Sequence, residues 1–344
     1  MMLNDTVQNG KRLSWPDMVR GLGVCLVIFG HLLYSSNMPL LNKVIYSFHV
    51  PMFFILSGFL YKHHENASWR IFLWNKAKRL LIPAILSVVL FSPLMLYHAR
   101  SLSRTFANLL QYCLYISGTV GINAPAWFFF CLFEVFVLAR LLSLDKKSVR
   151  IKLLITLLAF LGGWMISHLE HNWFGCKNML PALGFFAIGS ILKQPNLLQG
   201  LTSWSWLLCS FCLWSFLGWF LNGKVSMYDC YWGGDYFYFI LSGITGAMFW
   251  IGIMHHFSNI PMLKTLSTNS VFIICTHYLF VIPYARLIRR FRIQETAWGN
   301  PLCIVYFSVV ICMYWMVCWF LNRMQEMDKL RGTWEQFKQE HTFL

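Results

Sequence analysis

The chain has 344 residues, 58% of them hydrophobic and only 12% charged, and its mean hydropathy is +0.55. Soluble domains carry about 25% charged residues, so a soluble globular domain is excluded and the composition defines a polytopic membrane protein. The formal net charge of +15 does not mark a nucleic-acid binder. The basic residues lie between apolar segments, where they set topology and meet anionic headgroups, and no nucleic-acid motif is present.

From the N-terminus, residues 1–16 are polar, and no small-residue cleavage site follows the first apolar run, which reads as an uncleaved anchor. A crossing helix needs about 20 apolar residues. The pattern predicts spans at 18–35, 45–61, 80–97, 126–143, 153–168, 179–192, 203–221, 236–254, 267–285 and 302–321. The expected fold is an all-α integral membrane bundle of about ten transmembrane helices with no soluble domain. One domain fills residues 1–344, with a core over about 10–340 and short ends.

Lysine and arginine orient the bundle. With the N-terminus cytoplasmic, the inner segments hold Lys11 and Arg12, then Lys62, Arg70, Lys76, Lys78 and Arg79, then Lys146, Lys147, Arg150 and Lys152. The tail, also inside, holds Arg323, Lys329, Arg331 and Lys338. Residues 105–121, "TFANLLQYCLYISGTVG", are apolar enough to suggest another span, but counting them would move the basic 146–152 loop outside, so they read as a re-entrant or interfacial piece. The outer cluster Arg286, Arg289, Arg290 and Arg292 breaks the charge rule. It is either an amphipathic loop on headgroups or a patch for an anionic glycan. Cys209 and Cys212 form a C-x-x-C on a lipid-length helix with no matching ligand pair, and Cys176 and Cys230 fall in loops on one side, which allows a disulfide.

The first span, "DMVRGLGVCLVIFGHLLYS", carries Asp17, Arg20 and His31. At about 100° per residue, the eleven residues from Arg20 to His31 make three turns plus about 20°, so both lie on one face, about 16 Å apart along the axis. Asp17, three residues before Arg20, joins that stripe. Charged groups inside a membrane cost about 2.5–3.5 kcal/mol on insertion scales and face a bundle interior or a wet cavity. The second span, "FHVPMFFILSGFLY", places His49 before Pro51, with Ser57–Gly58 permitting close helix approach. Glu134 and His277 lie at mid-depth in two further spans. No two candidate ligands share a helical i, i+3 or i+4 spacing, so no metal is expected. The residue types suit general acid–base work, with a histidine taking a proton from an attacking hydroxyl, and Arg20 and Arg79 suit phosphate groups.

"DMVRGLGVCLVIFGH", with Arg20 and His31 in an R-x10-H spacing, "FHVPMFFILSGFLY", "KAKRLLIP" (Lys76–Pro83), "AWFFFCLFEVF" and "NSVFIICTHYLF" together resemble the acyltransferase-3 family of membrane O-acyltransferases. The likeness is closest to its fucose 4-O-acetylase-related branch. The resemblance implies transfer of an acetyl group from acetyl-CoA to a sugar hydroxyl, on polysaccharides, lipid-linked glycans or periplasmic glucans, in a bacterial inner membrane with both termini cytoplasmic. It implies His31 as the catalytic histidine, Arg20 as its essential partner and Arg79 as a CoA contact; the residues themselves add the expectations that Glu134 or His277 assists catalysis, that Arg20 and Lys76 join the CoA contacts, and that His49, Ser57, Trp127 and Asp17 meet the substrate. A polar seam is expected to run from Arg20 to His31. The extracytoplasmic hydrolase-like domain of some longer members of that family is not expected within these 344 residues. The alternative is a transporter, since intramembrane charges also mark ion and substrate paths, although neither an inverted repeat nor paired broken helices are visible.

Overall fold

The computed structural model describes residues 7–8, 11–62, 68–257 and 259–341, with residues 7–12 and 329–341 described by backbone alone. The side chains of Lys11, Arg12, Lys329, Arg331 and Lys338, used above as topology signals, lie outside the described residues. Apart from a two-residue antiparallel pair, β1 (Val7–Gln8) and β2 (Lys11–Arg12), the described chain is helical.

The helices in order are α1 (Trp15–Leu33), α2 (Pro39–Tyr46), α3 (His49–Leu60), α4 (Trp69–Arg79), α5 (Leu81–Leu90), α6 (Ser92–Ala99) and α7 (Leu102–Cys113). They continue with α8 (Trp127–Leu141), α9 (Val149–Ser167), α10 (Cys176–Ile191), α11 (Pro195–Leu201) and α12 (Trp204–Ser215). The last are α13 (Tyr236–His256), α14 (Pro261–Thr268), α15 (Ser270–Thr276), α16 (Tyr278–Arg290) and α17 (Gly299–His341). Among the described residues, 9 helical stretches are long and apolar enough to cross a bilayer, and Trp69–Leu90 with Ser92–Ala99, bent by 42°, makes the count up to 10. This is the all-α membrane bundle expected from the hydropathy pattern.

The boundaries differ from the expected ones for identifiable reasons. The third crossing begins at Trp69 rather than near residue 80. Its first helix, α4, is rich in helix-forming Lys, Arg and Leu, is capped by Ser68, whose Oγ accepts from the Ile71 N–H at 3.3 Å, and buries none of its residues. The second crossing begins at Pro39 and is two helices, α2 and α3, broken at Ser47–Phe48. Pro51 accounts for that break: it lacks an N–H and its ring crowds the carbonyl of Ser47 four residues earlier. Helix α7, which overlaps the ambiguous 105–121 segment, has 12 residues, too few to cross, and exposes Leu102, Phe106 and Leu110 in one stripe. Helix α17 has 43 residues, about 65 Å at 1.5 Å per residue, and runs well past the apolar part of its span.

Helix α1 sits at the centre, against α2, α3 and α13–α17. Its Met18, Val19, Val24, Ile28 and Leu32 are buried. In lipid, helices associate through close packing and small residues rather than by leaving water. Gly58 on α3 and Gly189 on α10 show this: a Cβ at Gly58 would lie 1.8 Å from the Phe186 carbonyl oxygen, and one at Gly189 would lie 1.9 Å from that of Ile55. Gly189→Ala is therefore expected to destabilise the protein by about 3 kcal/mol or more, the upper end of overpacking costs, because only backbone stands in the way. Thermal melting of detergent-solubilised protein tests this against Gly200→Ala, where a Cβ would meet nothing within 4 Å and no loss is expected.

Candidate active site

A cavity of about 750 Å³ opens at the end of the bundle where α1 ends. His31 forms part of its wall, in the last turn of α1. The broken second crossing sets Tyr46 at the end of α2 against it, and the ninth crossing, broken at His277, sets Tyr278 at the start of α16 beside it. The His31 Nδ1 lies 3.2 Å from the Tyr46 Oη and 3.2 Å from the Tyr278 Oη. One ring nitrogen offers one proton or one lone pair, so the two phenols share a single partner and hold the ring from both sides.

His277 lies behind this pair, its ring 5.3 Å from that of His31. Its Nδ1 is 2.9 Å from the Ile274 carbonyl and 3.2 Å from the Ile273 carbonyl. Carbonyls only accept, so Nδ1 carries the hydrogen and Nε2 is left as an acceptor. That Nε2 is buried and has no partner among the described residues.

The cavity wall opposite is a loop between the span ending at Leu221 and α13. Asn222, which is buried, organises it: its Oδ1 accepts from the N–H groups of Gly223 (2.9 Å), Gly234 (2.7 Å) and Asp235 (3.3 Å), and its Nδ2 donates to the Trp232 carbonyl at 3.2 Å. Gly233, at φ +87, takes a conformation that side-chain-bearing residues rarely adopt. Ser226 and Tyr231 close the loop with backbone hydrogen bonds of 2.7 and 2.9 Å. Ser226, Tyr228 and Asp229 thereby reach the cavity. Burial pushes the Tyr228 phenol up to about 12, with the nearby Asp229 charge adding to the shift, so it remains a protonated donor. The Tyr34 phenol at the mouth is also raised, by burial first and by Asp229 among the lesser causes.

The residues singled out from the sequence do not all gather here. Trp127, at the start of α8, lines the cavity with His31. His49 does not. It is buried behind Tyr46, their rings 4.8 Å apart, with its Nδ1 2.7 Å from the Ile45 carbonyl. Ser57 lies about 10 Å along α3 from the cavity-lining Val50, and Glu134 about 10 Å along α8 from Trp127. Neither lines the cavity. Glu134 sits beside Tyr115 and Cys131, with its Oε2 buried and unpartnered among the described residues.

Arg20 and Asp17 occupy the other end of α1. They pair at 3.7 Å, and Asp17 accepts from the Ser267 Oγ of α14 at 3.5 Å. Between Arg20 and His31 the same face of α1 presents Val24 and Val27, both buried, so the expected polar seam is interrupted by packed aliphatic side chains. Lys76 and Arg79 lie at the Arg20 end. The Lys76 Nζ stands 3.6 Å over the Phe136 ring, and Arg79 is exposed.

Of Arg286, Arg289, Arg290 and Arg292, only Arg289 lines the cavity, its Nε donating to the Ala285 carbonyl at 3.1 Å. Cys176 and Cys230 are free thiols, and the Cys230 Sγ instead donates to the Asn178 Oδ1 at 2.7 Å. Among the described residues no group of three or more His, Cys, Asp or Glu side chains is placed to hold a metal ion. Sequence reasoning passed over Tyr46, Tyr278 and Asp229. Tyr278 directly follows His277, and Asp229 is one of only 13 acidic residues in the chain, a scarcity that marks any loop carrying one.

A bundle of apolar, membrane-length helices with a histidine in the wall of an aromatic-lined cavity defines an integral-membrane protein. The model of the acyltransferase-3 family, described as an acyltransferase domain, matches residues 13–318, and the chain belongs to that family. It is therefore a membrane acyltransferase, which sets aside the transporter alternative. No curated protein and no solved structure matches the chain.

The geometry makes the reach of His31 testable without any substrate. Diethylpyrocarbonate applied to detergent-solubilised protein is expected to modify His31 and to spare His49 and His277, which are buried at 3% and 0% exposure. Peptide mass spectrometry reads the outcome.

Proposed function

We propose that this membrane acyltransferase moves an acetyl group from acetyl-CoA to a hydroxyl of a cell-surface or lipid-linked sugar, as one domain in a bacterial inner membrane with both termini cytoplasmic. The observation that supports this reading is the placement of His31. It stands in a cavity walled by aromatic side chains at the end of α1 remote from Arg20 and the basic helix α4. The fucose 4-O-acetylase-related motifs favour a sugar acceptor, and a cavity that is mostly apolar with a few polar groups suits one.

In this reading the unprotonated His31 accepts the proton of the acceptor hydroxyl. The hydroxyl oxygen attacks the thioester carbonyl carbon, the C–O bond forms, the C–S bond breaks, and the proton passes to the departing thiolate to give an acetyl ester and CoA. Tyr46 and Tyr278 fix the imidazole at Nδ1 and leave Nε2 to meet the hydroxyl. The ring of His277, 5.3 Å from that of His31, packs behind it and limits its tilt. Arg20, held by Asp17, with Lys76 and Arg79, serves the CoA phosphates at the other end. Glu134, away from the cavity, is given no part in the proton transfer. Val24 and Val27 must part or be bypassed for the pantetheine arm to reach His31.

Inside-out vesicles given acetyl-labelled acetyl-CoA test the reading by the appearance of label in glycan. His31→Ala, matched in abundance and folding, is expected to lose transfer by about a hundredfold or more, the scale of general acid–base catalysis. Undiminished transfer by that variant would sink the proposal. Tyr46→Phe or Tyr278→Phe alone is expected to lower kcat about fivefold, one hydrogen bond of about 1 kcal/mol. The double variant should lose more than the product of the two, since either phenol alone still holds the ring.

A further inference from the structure

The loop facing His31 carries two carboxylates with different fates. Asp235 is spent on structure: its Oδ1 accepts from the N–H groups of Phe237 (2.7 Å) and Tyr238 (3.2 Å), capping α13. Asp229 is exposed and lines the cavity. The Ser226 Oγ donates to its Oδ2 at 2.6 Å, while the Asp229 N–H donates back to the Ser226 Oγ at 3.4 Å. Its Oδ1 has no hydrogen bond among the described residues. A carboxylate oxygen is thus held in fixed orientation within the same cavity as His31, on a loop pinned by the four hydrogen bonds of Asn222.

Beside it stands an aromatic wall. The rings of Trp127 and Tyr228, both in the cavity lining, lie 6.3 Å apart and are inclined by 40°. Ring faces bind the apolar C–H face of a pyranose, and a carboxylate accepts from the hydroxyls on its rim. An aromatic wall with a carboxylate also suits a quaternary ammonium ion. Arg289 in the same lining disfavours a cation, and acyl transfer needs a nucleophilic hydroxyl.

We propose that the loop from Asn222 to Asp235 is the acceptor-recognition element of this enzyme, and that Asp229 accepts a hydrogen bond from a sugar hydroxyl other than the one acylated, with the ring lying on Trp127 and Tyr228. The proposal rests on the sugar-acceptor reading above and adds to it the residue that selects the sugar. A site built to hydrogen-bond a substrate hydroxyl discriminates against an analogue lacking it, because a ring seated in the cavity covers the carboxylate and leaves it unmatched.

The test uses full-length protein in nanodiscs, open on both faces, with labelled acetyl-CoA. The acceptor probes are methyl glycosides of glucose, galactose, mannose, rhamnose and fucose, each beside its monodeoxy analogues. The native protein is expected to acetylate at least one glycoside. Asp229→Asn is expected to raise KM for that glycoside about 10- to 100-fold, with kcat held within about threefold and KM for acetyl-CoA unchanged. One deoxy analogue should be penalised by the native protein and not by Asp229→Asn, a coupling that a merely structural role would not produce. If the native protein acetylates a glycoside and Asp229→Asn keeps the same KM and the same deoxy penalties, the assignment of Asp229 is wrong while the sugar reading stands. If the native protein acetylates none, the sugar reading fails and the assignment with it. Inhibition by choline at concentrations where no glycoside competes would give the site to a cation and overturn the proposal.

Discussion

Polar groups cannot be left facing lipid, and that constraint arranges the whole molecule around α1. The helix carries Asp17, Arg20 and His31 along one face, and each is costly in hydrocarbon unless the bundle encloses it. Enclosure is achieved by surrounding α1 with α2, α3 and α13–α17. The approach is close enough that a Cβ on Gly21 would fall 2.1 Å from the Leu263 carbonyl oxygen of α14. The same short helix supplies Ser267 to Asp17. Burial of the basic end of α1 and the close seating of α14 are therefore one event, and the position of His31 at the other end follows from the rigidity of the helix between them.

Broken helices finish what the central helix begins. Irregular backbone is tolerated at membrane depth only where protein or a wet cavity satisfies it. The break between α2 and α3 is lined on one side by Ser47, whose Oγ donates to the Val44 carbonyl at 2.7 Å and accepts from the Trp214 Nε1 at 2.9 Å. That arrangement closes the gap left by Pro51 and turns Tyr46 toward His31. The second break falls at His277, whose Nδ1 returns to the carbonyls of the preceding turn. Two discontinuities, one on each side of α1, deliver the two phenols that share one histidine nitrogen.

The crossings were legible because hydropathy and the length of an apolar run are local properties. His31 was legible because its spacing from Arg20 is fixed by the helix repeat. The seam was not. Helical geometry places Val24 and Val27 on the same face as the charges, and only packing decides that they fill it. Glu134 was read as a partner of His31 from depth alone, and depth carries no azimuth. Its place beside Tyr115 and Cys131 depends on how α8 is rotated, which a helix apolar on nearly all sides does not encode. Tyr46 and Tyr278 were passed over because single tyrosines in aromatic-rich spans resemble ordinary lipid-facing or core residues. Their role exists only where the two breaks bring them together. The Asp229 loop was invisible for a third reason: it is assembled by one buried asparagine and a left-handed glycine across a dozen residues, with no periodicity to read.

The two ends of α1 divide the chemistry between them. At one end stand the basic side chains of α4 with Arg20 and its aspartate, and at the other the aromatic cavity with Asp229 and Arg289. They are separated by about 16 Å of helix rise and by two aliphatic side chains. The proposed reaction assigns a donor with phosphates and a long thioester arm to the first end and an uncharged, hydroxyl-bearing ring to the second. A packed barrier between them has a physical advantage on this reading. A continuous wet seam would admit water to the thioester and leak protons across the bilayer, whereas Val24 and Val27 keep the two compartments sealed whenever no arm is threaded between them. The aliphatic residues that interrupt the seam are then as much part of the enzyme as the charged residues that mark its ends.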